Sequence, residues 1–155
     1  MAAEHELRHR FTAESVGRSL EVLGERWTLL ILREAFFGVR RYAQFARNLG
    51  IPRPTLSARL KSLVELEVLD RVVYATDPDR FEYRLTPAGK AIFPALVVLM
   101  RWGDDHLPPP DGPPLVLRHN PCGEPVSPYL ACRHCDEEVT TGNVTPEPGP
   151  GYHGG

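Results

Sequence analysis

Apolar residues recur at helical spacing from Val16 to Val64 and then switch, once, to two short runs of strand character. A first helix is expected from Ser15 as N-cap, with Val16, Leu20 and Leu23 on one face and Gly24 ending it. A second runs from Arg26 to Phe36 through Trp27, Leu30, Ile31 and Ala35, and stops at Gly38. It is apolar nearly all round, which predicts a central buried helix. A third, Tyr42 to Leu49, turns Phe45 and Leu49 inward, and Gly50-Ile51 supplies a turn. The fourth opens at Pro52 or Pro54, since proline is tolerated in a first helical turn, and buries Leu56, Leu60, Leu63 and Val64. Leu69 to Ala75 and Phe81 to Leu85 then flank Thr76-Asp77-Pro78-Asp79, a stretch dense in turn residues, which predicts a β-hairpin. Thr86-Pro87 restarts a helix that runs to about His106, with a kink or break expected at Pro94.

Three helices, a tight turn before the next helix, and a two-stranded hairpin are the order of a winged helix-turn-helix, an α+β and mainly helical fold. A helix about 10–12 Å across matches the DNA major groove, provided its free face carries hydrogen-bonding and cationic side chains. Arg53, Thr55, Ser57, Arg59 and Lys61 supply that face. Arg40 and Arg41 stand where the preceding helix begins, placed to hold phosphate. Arg80 at the hairpin tip can reach a minor groove or a flanking phosphate. Charge supports this placement. Residues 26–90 hold 12 Lys/Arg against 7 Asp/Glu, the remainder 6 against 13, and Arg40 to Lys61 carries six basic residues and no acidic one. A basic stripe in a chain of net charge −2 is what a phosphate-binding face requires. The bland alternative for each arginine is a solvated surface residue, and for Trp27, Phe36, Phe37 and Phe45 it is the core.

The longest apolar run, Ala95 to Met100, is far too short for a bilayer, which takes about 20 residues. The polar, acidic start, Met1-Ala2-Ala3-Glu4-His5-Glu6, lacks the apolar stretch of a signal peptide. A cytoplasmic protein is expected, with no membrane partner. Residues 1–14 read as a flexible arm, and His5 and His9 within it as solvent-exposed. No internal repeat is visible.

Residues 108–114 form a proline-rich linker between a 15–107 domain and a cysteine-bearing segment, 115–140; 141–155 reads as a disordered tail. The three cysteines all lie in that last third. His119 and Cys122, then Cys132 and Cys135, are two pairs of soft ligands with the spacing of a small Cys₃His zinc ribbon. A segment this short has too little apolar mass to fold alone, and structural zinc would supply the stability. His134 is a strained alternative to His119. Free thiols or a Cys132–Cys135 disulfide are the other readings, with a redox or metal-sensing role open. No charge partner or nucleophile arrangement accompanies the cysteines, so no enzyme is expected.

Leu23-Gly24-Glu25-Arg26-Trp27-Thr28-Leu29-Leu30-Ile31-Leu32-Arg33-Glu34, Gly38-Val39-Arg40-Arg41-Tyr42, Leu56-Ser57-Ala58-Arg59-Leu60, Arg80-Phe81-Glu82-Tyr83-Arg84-Leu85-Thr86-Pro87-Ala88-Gly89 and Trp102-Gly103-Asp104 together resemble the HxlR family of bacterial winged-helix regulators. The resemblance spans Ser15 to Leu107, about 60% of the chain, with several motifs in order and spacing. It implies a homodimer joined through the first and last helices of the domain and bound to a pseudo-palindromic operator. Members are often encoded beside the genes they control, and either repress or activate. Some carry a redox-sensing cysteine just before the first helix; here that stretch is Ala13-Glu14-Ser15-Val16, which disfavours that route.

Val16, Leu20, Leu96, Leu99 and Trp102 offer apolar surface for such a dimer, and a two-fold protein can read half-sites one helical turn apart. The bland alternative places all five in the chain's own core. The expected function is therefore dimeric, sequence-specific transcription regulation on double-stranded DNA. The rivals are a nonspecific or architectural DNA binder, a protein-interaction module acting through the zinc ribbon, and a ribbon-containing enzyme fragment. Operator, target genes, small-molecule effector and direction of regulation are not written in the sequence.

Overall fold

A computed structural model describes residues 14–151. The proposed arm, with His5 and His9, therefore lies almost wholly outside the described residues. Helices α1 (Ser15–Leu23), α2 (Arg26–Phe36), α3 (Tyr42–Leu49) and α4 (Arg53–Glu65) precede strands β1 (Leu69–Ala75) and β2 (Arg80–Leu85). Helices α5 (Pro87–Lys90) and α6 (Phe93–His106) follow. Among the described residues no helix is long and apolar enough to cross a membrane.

Local chemistry explains these boundaries. The α1 cap is Glu14 rather than Ser15: its carboxylate accepts from the amides of Val16 and Gly17 at 3.0 and 3.3 Å, satisfying two donors that a serine hydroxyl one residue later would miss. Glu25 caps α2 in the same way through the Trp27 amide. Gly50 ends α3 at φ 59°, the left-handed conformation that a residue without Cβ adopts cheaply. Pro52 takes the N-cap position of α4 without a side-chain bond, and Pro54 occupies its first turn. The expected break before the last helix falls at Ala91-Ile92, so Pro94 sits in the first turn of α6, where its missing N–H costs nothing.

The core gathers Ile31 and Leu32 of α2, Phe45 of α3, Ile51 of the turn, Leu56, Leu60 and Leu63 of α4, and Val68 and Leu69 at the strand entry. Arg26 is the single exposed residue of α2, which makes that helix the hub. Glu34 is buried on it with both carboxylate oxygens engaged, by Arg33 at 2.9 Å and by the Asn48 amide of α3 at 2.8 Å. A buried carboxylate persists only when it is paired in this manner.

β1 and β2 pair antiparallel, Leu69 opposite Leu85 and Val73 opposite Phe81, with a register shift that leaves Tyr74 unpaired before Ala75 meets Arg80. Thr86 closes the hairpin. Its hydroxyl donates to the Glu67 carbonyl at 2.6 Å and accepts the Gly89 amide at 3.0 Å, capping α5. Gly89 passes so close that a Cβ there would lie 2.2 Å from the Val68 carbonyl oxygen. Thr86-Pro87-Ala88-Gly89 is thus one device: a cap, a preset first turn and a close approach.

The chain divides into two compact units at Leu96/Val97, inside α6, rather than at the proline-rich stretch. In the second unit, Gly112 turns back on Pro109 within that stretch. Beyond it lie two small hairpins, bridged at Arg118–Pro125 and Ala131–Glu138. None of residues 98–151 is buried. Residues 145–151 form no helix or strand.

Candidate nucleic-acid interface

The helix-turn-helix is locked by one tyrosine. Tyr42, the first residue of α3, donates its hydroxyl proton to the Arg53 carbonyl at 3.0 Å and lies 3.1 Å from Ser57 Oγ. The start of α3 is thereby tied to the first two turns of α4, while Ile51, 5% exposed, anchors the turn from beneath. Arg53, Ser57 and Lys61 fall at successive spacings of four and are all exposed, forming one stripe along α4; Thr55 and Arg59 are half-buried beside it. Lys61 reaches Glu65 at 3.7 Å, but both side chains are largely exposed, so the pair leaves the lysine free to exchange partners.

Arg40 and Arg41 are exposed at the entry to α3. The Arg41 amide donates to Gln44 Oε1 at 3.1 Å, and its guanidinium stacks over the Tyr74 ring at 4.5 Å. That ring is available because the strand irregularity takes Tyr74 out of the pairing. The Tyr83 amide donates to the Arg40 carbonyl at 2.7 Å, joining the hairpin to the approach to α3. Arg80 opens β2 and is exposed. The Arg71 guanidinium lies over the Phe81 ring at 3.6 Å, a cation–π contact across the hairpin.

The structure adds Tyr42 and Arg47 to the residues expected from sequence. Both line the groove between α3 and α4 with Ala43, Ala46, Gly50, Ile51 and Arg53. Arg47 is one of the six cations between Arg40 and Lys61 and was legible in that run; the role of Tyr42 needs the fold.

Among the residues expected at a dimer contact, Val16 and Leu20 are 61% and 57% exposed on α1, a helix with no buried residue. Leu99 and Trp102 are 49% and 51% exposed on α6, where the Trp102 indole stacks on His106. Leu96 departs from the set: at 6% exposure it is packed within its own chain.

The four expected metal ligands stand as two pairs. His119 Nδ1 lies 3.3 Å from Cys122 Sγ. The Cys132 thiol is held below its ordinary range by the His134 backbone amide first, then by the Cys135 side chain and amide. All three cysteines are free, and among the described residues no three His, Cys, Asp or Glu side chains gather into one metal site. Each hairpin closes on its own backbone bonds and so holds its own pair.

Similarity to known proteins agrees with this architecture. Residues 22–111 match the family described as HxlR-like helix-turn-helix. An HTH-type transcriptional regulator of Mycobacterium tuberculosis, Rv3095, is 67% identical over 150 residues, covering 97% of this chain and 95% of its own. The crystal structure of PA1607, described as a candidate transcription factor, superposes with a TM-score of 0.79 at 34% identity, over 90% of this chain and 97% of that one. The HTH-type transcriptional regulator YtcD of Bacillus subtilis is 32% identical over 94 residues, 60% of this chain and 75% of its own. The first two alignments run beyond the winged part into the tail, whereas the last has the length of the winged part alone. The chain belongs to the HxlR-like helix-turn-helix family of transcriptional regulators.

Proposed function

We propose that this regulator is a cytoplasmic homodimer that binds a specific, two-fold related DNA site and carries out no catalysis. One observation supports the reading above the others. The stripe Arg53, Ser57, Lys61 on α4 is exposed, as are Arg40 and Arg41 at the entry to α3 and Arg80 at the start of β2, and no acidic residue lies between Arg40 and Lys61. In this reading Arg40, Arg41, Lys61 and Arg80 neutralise phosphates and set the orientation. Arg53, Thr55 and Ser57 face base edges, with Arg59 supporting from the half-buried side. Tyr42 holds Arg53 and Ser57 in place before DNA arrives, so little order has to be gained on binding. A second copy of the chain covers Val16 and Leu20 of α1 and Leu99 and Trp102 of α6; these are large apolar side chains left in water by the single chain.

The test is a titration of the full chain against DNA upstream of its own gene and against scrambled DNA, at two salt concentrations. Tight binding to the first alone, with protected half-sites one helical turn apart, supports the reading. Equal, salt-sensitive binding to both sequences replaces it with nonspecific DNA binding. A sedimentation mass of one chain at working concentration overturns the dimer.

A further inference from the structure

Residues 117–126 and 130–139 are two copies of one hairpin, displaced by thirteen residues. The Val126 amide donates to the Leu117 carbonyl at 2.8 Å, and the Val139 amide to Leu130 at 2.7 Å. The His119 amide donates to Glu124 at 2.9 Å, and the Cys132 amide to Glu137 at 2.9 Å. The turn closes from Gly123 to His119 at 2.7 Å, and from Asp136 to Cys132 at 2.8 Å. Gly123 and Asp136, at equivalent positions, have φ of 73° and 58°. With the two copies laid over one another, Leu117 matches Leu130, Cys122 matches Cys135, Glu124 matches Glu137 and Val126 matches Val139. The position before the turn holds His119 in one copy and Cys132 in the other. The residue type changes there and the capacity to bind a soft metal does not.

This precision of backbone is not explained by burial, since none of residues 98–151 is buried. Leu130 and Tyr129 stay 66% and 70% exposed. A non-glycine residue at positive φ, Asp136, is a strained choice that the surrounding structure must support. A segment of this length without a core ordinarily depends on a disulfide or a metal, and the three cysteines are free.

We propose that the duplicated hairpins bind one structural zinc ion per chain through His119, Cys122, Cys132 and Cys135. Two ligands of a tetrahedral zinc, at about 2.0 Å for nitrogen and 2.3 Å for sulfur, stand about 3.5 Å apart. The His119 Nδ1 to Cys122 Sγ separation of 3.3 Å is already near that value. In the second copy Cys132 and Cys135 occupy the positions that His119 and Cys122 hold in the first. The pairs stand apart, and a three-residue connector, Ser127-Pro128-Tyr129, separates the hairpins. The ion is the element that joins them. Three thiolates and an imidazole select zinc over hard cations, and four protein ligands leave no position open for substrate. The three thiols release their protons to solvent on binding. This inference stands apart from the DNA-binding reading, because its readout contains no DNA.

The experiment is zinc analysis of the full chain purified under reducing conditions, with Cys122→Ser, Cys135→Ser, His119→Ala and His134→Ala variants in parallel. One zinc per chain, lost in the first three variants and kept in His134→Ala, is the expected result. Cobalt titration of the chelator-stripped wild-type chain keeps the test independent of whether any variant folds; it should give the visible bands of tetrahedral cobalt with thiolate ligands. Metal-free protein with three freely reactive thiols and no cobalt bands overturns the proposal. So does a Cys132–Cys135 disulfide in the reduced preparation, or zinc content unchanged by the Cys122 and Cys135 substitutions. Retention in His119→Ala with loss in His134→Ala overturns the assignment of His119.

Discussion

Phe45, Leu56, Leu60 and Leu63 of the winged-helix part lose essentially all contact with solvent, whereas Leu115, Val116, Tyr129 and Leu130 of the tail remain 43% to 70% exposed. Both regions nonetheless have closed turns and residues at positive φ. In the first, burial is the main force: each fully buried aliphatic or aromatic side chain contributes about 1.5–3 kcal/mol relative to exposure. In the second, order rests on backbone bonding within each hairpin and, in our reading, on a metal. The difference predicts that equivalent insults will act very differently on the two regions.

The largest contrast is in side-chain truncation. Phe45→Ala should cost about 3–5 kcal/mol, seen as a lower denaturation midpoint of the helical signal, because it leaves a cavity that rigid neighbours cannot fill. Leu130→Ala should stay within about 0.5 kcal/mol of the parent. Equal losses would mean that the tail has a core of its own.

Glycine replacement comes next. Gly89→Ala should destabilise by about 1–3 kcal/mol, since the new methyl group meets the Val68 carbonyl oxygen unless the chain shifts. Gly103→Ala, in α6 with nothing within 4 Å of its added methyl group, should stabilise by about 0.5–1 kcal/mol through helix propensity. Thermal melts of the two variants should therefore move in opposite directions. A matching decrease would show that Gly103 is covered by something else, such as a second subunit.

Thr86→Ala should cost about 1–2 kcal/mol by urea titration, the value of an N-cap together with a buried hydroxyl bond to Glu67. An unchanged midpoint would remove Thr86 from the account of the hairpin closure.

The smallest effect on stability should accompany a clear one on binding. Arg41→Gln and Arg80→Gln should leave the melting curve within about 0.5 kcal/mol of the parent. Each should lower DNA affinity for all sequences and reduce the slope of log affinity against log salt by about 1. A loss restricted to one DNA sequence would reassign the residue from phosphate to base contact.

Much of the winged-helix part was legible before any coordinates. The α2, α3 and α4 boundaries, the hairpin and the buried stripe Leu56, Leu60, Leu63 follow from periodicity and turn residues that act over a few positions. The α1 cap falls one residue before Ser15 because Ser15 and Glu14 are both competent caps, and only the backbone shows which carboxylate or hydroxyl meets the free amides. Leu96 reads like Leu99 in an apolar run, and packing alone separates the buried residue from the exposed one. The tail's repeat is faint in the sequence because six of its ten equivalent positions differ, histidine standing against cysteine and proline against glutamate. Backbone hydrogen bonds align the six positions that differ.

The sequence by itself determined the helical and strand periods, the cap and turn chemistry, and the concentration of positive charge between Arg40 and Lys61, all properties of residues near one another in the chain. Tertiary structure alone decided that Tyr42 fastens Arg53 and Ser57, that Tyr74 leaves its strand to meet Arg41, and that Glu34 is shared by Arg33 and Asn48. Most of these contacts join residues separated by eleven or more positions, where no local period carries information and partner choice follows from how the helices pack.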